Sequence, residues 1–149
     1  MTGPDESARS EPAWLAFEKL VAEQVRRFDR SAVVEHNQHL PGRLSGIPRQ
    51  VDVLVRGRVG GEEIVIVFEC KRYKKRAVGL AIVEEFIGKL HDLGADKGVL
   101  FVCGTFTDAA VRRMENATYP RISAYVYVEA PEPCEKRWED LVEWESEAG

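Results

Sequence analysis

Two acidic residues and one lysine in the middle of the chain have the types and spacing that phosphodiester hydrolysis requires. Asp52 begins one strand-like segment, and Glu69 and Lys71 end the next. Alternate side chains of a strand share a face, so Glu69 and Lys71 are predicted to be neighbours. Adjacent carboxylates are hard oxygen ligands of the kind that Mg²⁺ takes, and a lysine beside them can position water and stabilise charge on phosphorus.

A predicted hairpin brings these residues together. The two-glycine turn Gly60-Gly61 separates two apolar runs. Strands are predicted on either side of it, over 51–59 and 64–71. Asp52 lies eight residues before the turn and Glu69 eight after it, which places both carboxylates at one end of the sheet. A Glu-x-Lys pair is more often a surface ion pair, but this one ends a nearly continuous apolar run, where unpaired charge is costly.

The flanking segments predict a sheet covered by helices. Apolar residues at three- and four-residue intervals indicate helices over 13–30, 78–93, 108–117 and 135–145. Short apolar runs indicate further strands over 31–35, 98–103 and 122–128, and the polar segment 36–48 is predicted to be a loop. This order predicts an α/β fold in which a mixed β-sheet is sandwiched by α-helices.

The charge of the chain is unevenly distributed along its 149 residues. The net charge is −4, but residues 1–12 carry −2 and residues 129–149 carry −6, which leaves +4 for residues 13–128. We expect a disordered lead at 1–12, a folded core at 13–128, and an acidic helix within 129–149 that packs on the core or extends it. A mildly basic core is compatible with a nucleic-acid partner.

The cellular setting is indicated by the cysteines and the hydropathy. No run of about 18 apolar residues is present, so no membrane span is predicted. Cys70, Cys103 and Cys134 are odd in number and lack metal-type spacing, which disfavours a disulfide scaffold. The sequence therefore predicts a cytoplasmic protein.

The segment from residue 17 to about residue 114 resembles the catalytic domain of Mrr-type restriction endonucleases, within the PD-(D/E)xK nuclease superfamily. The resemblance is carried by six motifs, which are Phe17-Glu18-Lys19-Leu20-Val21, Arg49-Gln50-Val51-Asp52-Val53, Phe68-Glu69-Cys70-Lys71, Val83-Glu84-Glu85-Phe86-Ile87-Gly88, Gly94-Ala95-Asp96-Lys97-Gly98 and Phe106-Thr107-Asp108-Ala109-Ala110. It implies a restriction-endonuclease-like fold and a DNA endonuclease of restriction or genome-defence type. It also implies Mg²⁺ as the cofactor, with Mn²⁺ as an alternative.

The resemblance also implies roles for individual residues. Asp52 and Glu69 would be metal ligands, joined by the backbone carbonyl of Cys70 and by Glu18 of the first helix. Lys71 would position water or stabilise charge. The implied catalytic set is Glu18, Gln50, Asp52, Glu69 and Lys71, in which Gln50 would orient a phosphate or water.

A basic segment follows the second carboxylate and is a candidate DNA contact. Residues 71–76 hold five basic residues and Tyr73, which suits phosphate binding, although a solvated charged loop is the simpler alternative. The candidate DNA-binding residues are Arg49, Arg56, Arg72, Lys74, Lys75 and Arg76. Other polar residues have weaker claims: His36 and His39 lie in the predicted loop, and Glu84 and Glu85 read as exposed helix acids.

The expected partners are DNA and a second copy of the chain. Cutting both strands of a duplex takes two active sites, which makes a homodimer the simplest arrangement. We expect no separate DNA-reading domain in this length, so a specificity or defence-system subunit is a possible partner. Two alternatives stay open, namely a structure-selective nuclease such as a Holliday junction resolvase, and a catalytically inactive DNA-binding module of nuclease fold.

Overall fold

A computed structural model describes residues 13–73 and 76–127. Three helices and five strands follow one another along the chain, in the order α1 (Ala13–Phe28), β1 (Val33–Pro41), β2 (Pro48–Val59), β3 (Glu62–Arg72), α2 (Leu80–Leu93), β4 (Lys97–Cys103), α3 (Asp108–Glu115) and β5 (Arg121–Tyr127). The predicted lead at 1–12 and the predicted acidic helix within 129–149 lie outside these residues. None of the three helices is long and apolar enough to cross a membrane.

The five strands form one mixed sheet in the order β1-β2-β3-β4-β5. The first three are antiparallel neighbours, and the glycine turn joins β2 to β3 as predicted. From β3 onwards the pairing is parallel, and α2 and α3 supply the two crossovers that parallel strands need. The predicted mixed sheet is confirmed.

Helices cover both faces of the sheet and create two separate cores. On one face, α2 and α3 bury an apolar stripe that includes Phe86, Leu90 and Met114. On the other face, α1 buries Val21 and Ala22 against the opposite side of the strands. The predicted sandwich is therefore correct, and the middle strands are covered on both sides.

The predicted loop at 36–48 was wrong over its first half. Strand β1 continues to Pro41, and the β1–β2 ladder extends as far as the pair Pro41 and Pro48. The loop was predicted from the His, Asn, Gly and Pro content of 36–48, and the polar residues of that segment that lie in β1 are His36, Asn37, Gln38 and His39. These residues are tolerated in β1 because it is an edge strand, where polar side chains reach water on one side.

The β1–β2 pair continues beyond the main sheet as a two-stranded arm, defined by residues 37–51. The β2–β3 ladder stops at Val53, whereas the β1–β2 ladder does not. Buried Asp92 at the end of α2 holds the turn of this arm, since its carboxylate accepts hydrogen bonds from the backbone N–H groups of Leu44 (3.0 Å) and Ser45 (2.8 Å). It also accepts one from the Ser45 hydroxyl (2.6 Å), and these bonds lower the pKa of Asp92. Helix α2 thus positions the strand that carries the first candidate carboxylate.

Candidate active site

The candidate site lies where β2 and β3 separate. The ladder between these strands ends at the pair of Val53 and Phe68, one residue short of Asp52 and Glu69. The backbone N–H of Cys70 donates a 2.8 Å hydrogen bond to Oδ2 of Asp52 instead. The side chain of Asp52 therefore ties the diverging strands together and lies beside Glu69, as the sequence predicted.

Helix α1, which covers the face of the sheet opposite α2 and α3, adds a third carboxylate beside Asp52. Glu18 is buried and hydrogen-bonds to Asp52. Burial, the charge of Asp52 and this hydrogen bond raise the pKa of Glu18 from 4.5 to about 7. Burial and the charge of Glu69 also raise the pKa of Asp52, although the Cys70 hydrogen bond opposes the shift. Three carboxylates therefore crowd together at a cost that a cation would relieve.

His36 contacts this cluster from β1, which the sequence analysis did not anticipate. Its Nε2 lies 3.1 Å from Oε2 of Glu18, and both side chains are largely buried. A loop position gave no reason to link the two residues. The link becomes visible only when β1 is extended through His36, because that residue then pairs with Val53, next to Asp52.

Lys89 reaches the cluster from α2 and was also missed. Its Nζ lies 2.5 Å from Oε1 of Glu69, and their side chains are only 16% and 10% exposed. The sequence hint that Lys89 lies near the core was its position on the helix, three residues after the buried Phe86 and one before the buried Leu90. A lysine bordering an apolar stripe usually extends to solvent, so this signal is weak.

The other predicted catalytic groups occupy different surroundings. Lys71 is half-buried two residues beyond Glu69 on the same strand, and the direct ion pair of Glu69 is with Lys89. Gln50 is exposed on the arm, and its amide donates a 3.3 Å hydrogen bond to Asn37 of β1. The pKa of the Cys70 thiol is raised well above its ordinary value by burial and the neighbouring carboxylates, which leaves the backbone of Cys70 as its contribution to the site.

The predicted DNA-binding residues fall into separate groups. Two have acidic partners within the protein: Arg49 lies 3.0 Å from Asp92, and Arg56 lies 3.7 Å from Glu35. Near the end of β3, the Arg76 guanidinium stacks 4.7 Å from the ring centre of Tyr73. Arg72 is half-buried at the end of β3. The remaining two, Lys74 and Lys75, lie outside the described residues.

The donor chemistry of the cluster fits a hydrated Mg²⁺. No group of three or more His, Cys, Asp or Glu side chains within 13–73 and 76–127 forms a preassembled metal cage. Mg²⁺ does not need one, because it keeps several waters and takes one or two carboxylates together with substrate phosphate. Asp52 and Glu69 provide such carboxylates, and burial together with the neighbouring carboxylates keeps the pKa values of Glu18 and Asp52 raised although Lys89 pairs with Glu69.

Three solved structures share this fold. The chain is similar to AF1548, a protein of unknown function, with 16% identity, a TM-score of 0.55, and coverage of 72% of this chain and 58% of that one. It is similar to the DNA modification-dependent restriction endonuclease AspBHI, with 23% identity, a TM-score of 0.52, and coverage of 72% and 27%. It is also similar to the restriction endonuclease MspJI in complex with a 27-mer oligonucleotide, with 23% identity, a TM-score of 0.53, and coverage of 77% and 26%.

These likenesses establish the fold, while the sequence establishes the family. The chain spans about six tenths of AF1548 and about a quarter of each of the two nucleases. No curated protein sequence matches it. The family model Mrr_cat, described as a restriction endonuclease, matches residues 10–124, which is most of the chain. The protein therefore belongs to the Mrr_cat restriction endonuclease family.

Proposed function

We propose that the protein is a metal-dependent DNA endonuclease of restriction or genome-defence type, with Mg²⁺ as its cofactor and Mn²⁺ as an alternative. The observation that carries the proposal is the convergence of Glu18, Asp52 and Glu69 where β2 and β3 separate. Burying three acids close together is destabilising unless a cation offsets their charge. In a member of a restriction endonuclease family, this cluster is the natural place for the reaction.

The residues divide the work of hydrolysis between binding and positioning. Asp52 and Glu69, with the Cys70 carbonyl and Glu18, would hold the metal, which supplies charge neutralisation at the phosphate and a lowered pKa for a bound water. Lys71 follows on the same strand and would hold the attacking water or stabilise charge on phosphorus. Gln50, two residues before Asp52, would orient a phosphate or water at the rim of the site.

DNA is the proposed substrate, and the basic residues at the end of β3 support it. Arg72 follows Lys71 directly, and Lys74, Lys75 and Arg76 come within the next four residues of the sequence. Cations placed next to a phosphate-cleaving site bind a polyanion in a manner that weakens with salt. Arg49 and Arg56 would extend this surface, although their acidic partners already offset part of their charge.

The test is cleavage of supercoiled plasmid by the full chain. We expect nicked and linear products with Mg²⁺ or Mn²⁺, ends that carry 5′-phosphate, and no products with EDTA. Asp52→Ala and Lys71→Ala should each lower the rate by at least about a hundredfold, the scale expected for loss of electrostatic stabilisation of the transition state. Glu84→Ala is the matched control, because Glu84 is an exposed acid on α2 and should leave the rate unchanged.

The substrate panel should include methylated, unmethylated and branched DNA. Metal-dependent cleavage of duplex DNA supports the proposal. Cleavage confined to branched DNA would instead assign a structure-selective nuclease. If wild-type protein binds DNA but cuts none of these substrates with any divalent metal, the chain is an inactive DNA-binding module.

A further inference from the structure

Lys89 is a second lysine at the proposed site, and it has no role in the proposed hydrolysis. It comes from α2, the helix on the face of the sheet opposite α1. Its ammonium contacts Oε1 of Glu69 at 2.5 Å. The proposed site is thus approached from both layers, by an acid from α1 and by a base from α2.

The placement of this ammonium is unusual for a lysine on a helix surface. Lysine side chains ordinarily extend along apolar surface and keep the charged group in water. Lys89 borders the buried stripe of α2 and is only 16% exposed, and its charged group turns inwards to an equally buried carboxylate. Desolvating both charges is costly, so the contact is expected to be retained for the site and not for general stability.

The charges around Lys89 explain what it does there. Glu18, Asp52 and Glu69 converge, and Lys89 is in direct contact with one of them. A cation at Glu69 offsets the repulsion among these carboxylates, and its charge also acts on Asp52. A divalent metal at the same place would offset the same repulsion.

We propose that Lys89 is a positioning residue whose ammonium pairs with the Glu69 carboxylate when no metal is bound. A metal that binds at Glu69 then has to displace this ammonium or bind beside it. This inference rests on the proposed function, because it concerns the metal affinity of that same site. Lys89 fixes the Glu69 carboxylate and weakens metal binding by competing for it. Under the proposed function, Lys71 would still be the lysine that holds the attacking water.

The experiment compares wild type with Lys89→Met and Lys89→Arg in the absence of DNA. Calorimetric titration with Mg²⁺ and Mn²⁺ gives the dissociation constant, and thermal unfolding gives Tm with and without metal. Met keeps the aliphatic stem and removes the charge, so metal should bind about tenfold more tightly, on the scale of a nearby unit charge in partly buried surroundings. The metal-free Tm should fall, and the Tm increase caused by metal should grow. Arg restores the cation and should restore the wild-type values.

Arg27→Met is the control, because it removes a cation from an exposed ion pair with Glu23 on α1. It should leave metal affinity unchanged. Equal or weaker metal affinity in Lys89→Met would overturn the competition between Lys89 and the metal. If metal-dependent plasmid cleavage is seen alongside that result, the nuclease proposal stands and only the role of Lys89 fails. If neither protein binds metal and cleavage proceeds in EDTA, the metal dependence of the proposed function fails as well.

Discussion

At the scale of single residues, Glu18 shows how the site trades stability for chemistry. It is 5% exposed, and its carboxylate lies against that of Asp52 and 3.1 Å from Nε2 of His36. A fold selected for stability alone would place an apolar residue on this part of α1. Its energetic cost becomes measurable through the pH dependence of the metal-free protein.

Replacing Glu18 should change that pH dependence in a defined direction. The pKa of Glu18 is about 7 in the folded protein against an ordinary 4.5, so folding favours its protonated form. The free energy of folding that the raised pKa contributes is fully present below pH 4.5 and is lost as the pH rises through 7. Glu18→Gln, which cannot ionise, should therefore raise Tm by roughly 5 °C at pH 8 in EDTA and have little effect near pH 4.5.

The measurement is thermal unfolding of both proteins from pH 4.5 to pH 8 in EDTA. Glu23→Gln provides a control on the same helix, because Glu23 is exposed. The expectation is contradicted if Glu18→Gln is no more stable than wild type at pH 8, or if both proteins keep the same slope between pH 4.5 and pH 8.

The residues of the site differ in how far sequence could reveal them. The proximity of Asp52 and Glu69 was predictable, because one hairpin fixes their relative positions, while the role of Lys71 stays a prediction. The contacts of His36 and Lys89 were not predictable, since each residue comes from an element whose packing partner is set by tertiary structure. Contacts made across layers leave no local pattern in the sequence.

At the scale of elements, α2 has to lie close to β4 for Lys89 to reach Glu69. Gly98 permits this approach, because a Cβ built at that position would lie 2.4 Å from Leu90 Cδ1 and 2.8 Å from Phe86 Cε1. Gly98→Ala should push α2 away from the sheet and destabilise the protein by about 1–3 kcal/mol, the usual cost of overpacking a core. Urea unfolding measures the change.

Gly88 on α2 offers the opposite case on the same helix. Its Cβ would meet no atom within 4 Å, and the residue is exposed. Gly88→Ala should stabilise the helix by about 0.5–1 kcal/mol, because alanine loses less backbone entropy than glycine. The close approach of α2 to β4 would be disproved if Gly98→Ala left the stability unchanged or raised it as Gly88→Ala does.

The elements were more predictable than their ends and bends. The hairpin, the helices between the later strands and the order of elements along the chain followed from periodicity and glycine positions. The arm did not, because its polar β1 residues read as a loop and its turn is held by Asp92, forty-odd residues further along the chain. The Asp92 carboxylate is close to the turn in space but distant from it in sequence, so no local pattern reveals the contact.

At the scale of the whole molecule, net charge conceals the surface that a DNA substrate would meet. The chain as a whole is acidic, but residues 13–128 carry +4 and the basic residues cluster after Glu69. Three of the acids within that span form the proposed metal site, so bound metal would make the surface near the site more positive still. Association with DNA is therefore expected to weaken steeply as salt rises.

The number of copies of the protein that act on one duplex determines the ratio of nicked to linear product. A single site cuts one strand at a time, so cutting both strands in one binding event takes two sites placed across the duplex, which a homodimer supplies by symmetry. Excess Asp52→Ala mixed with wild type should then form dimers with one working site and convert linear product into nicked circles. Gel analysis of plasmid products gives the ratio, and an equal mass of serum albumin is the control for crowding. If Asp52→Ala merely competes for DNA, total cleavage will fall while the nicked-to-linear ratio stays constant, and the protein then acts as a monomer that cuts each strand independently.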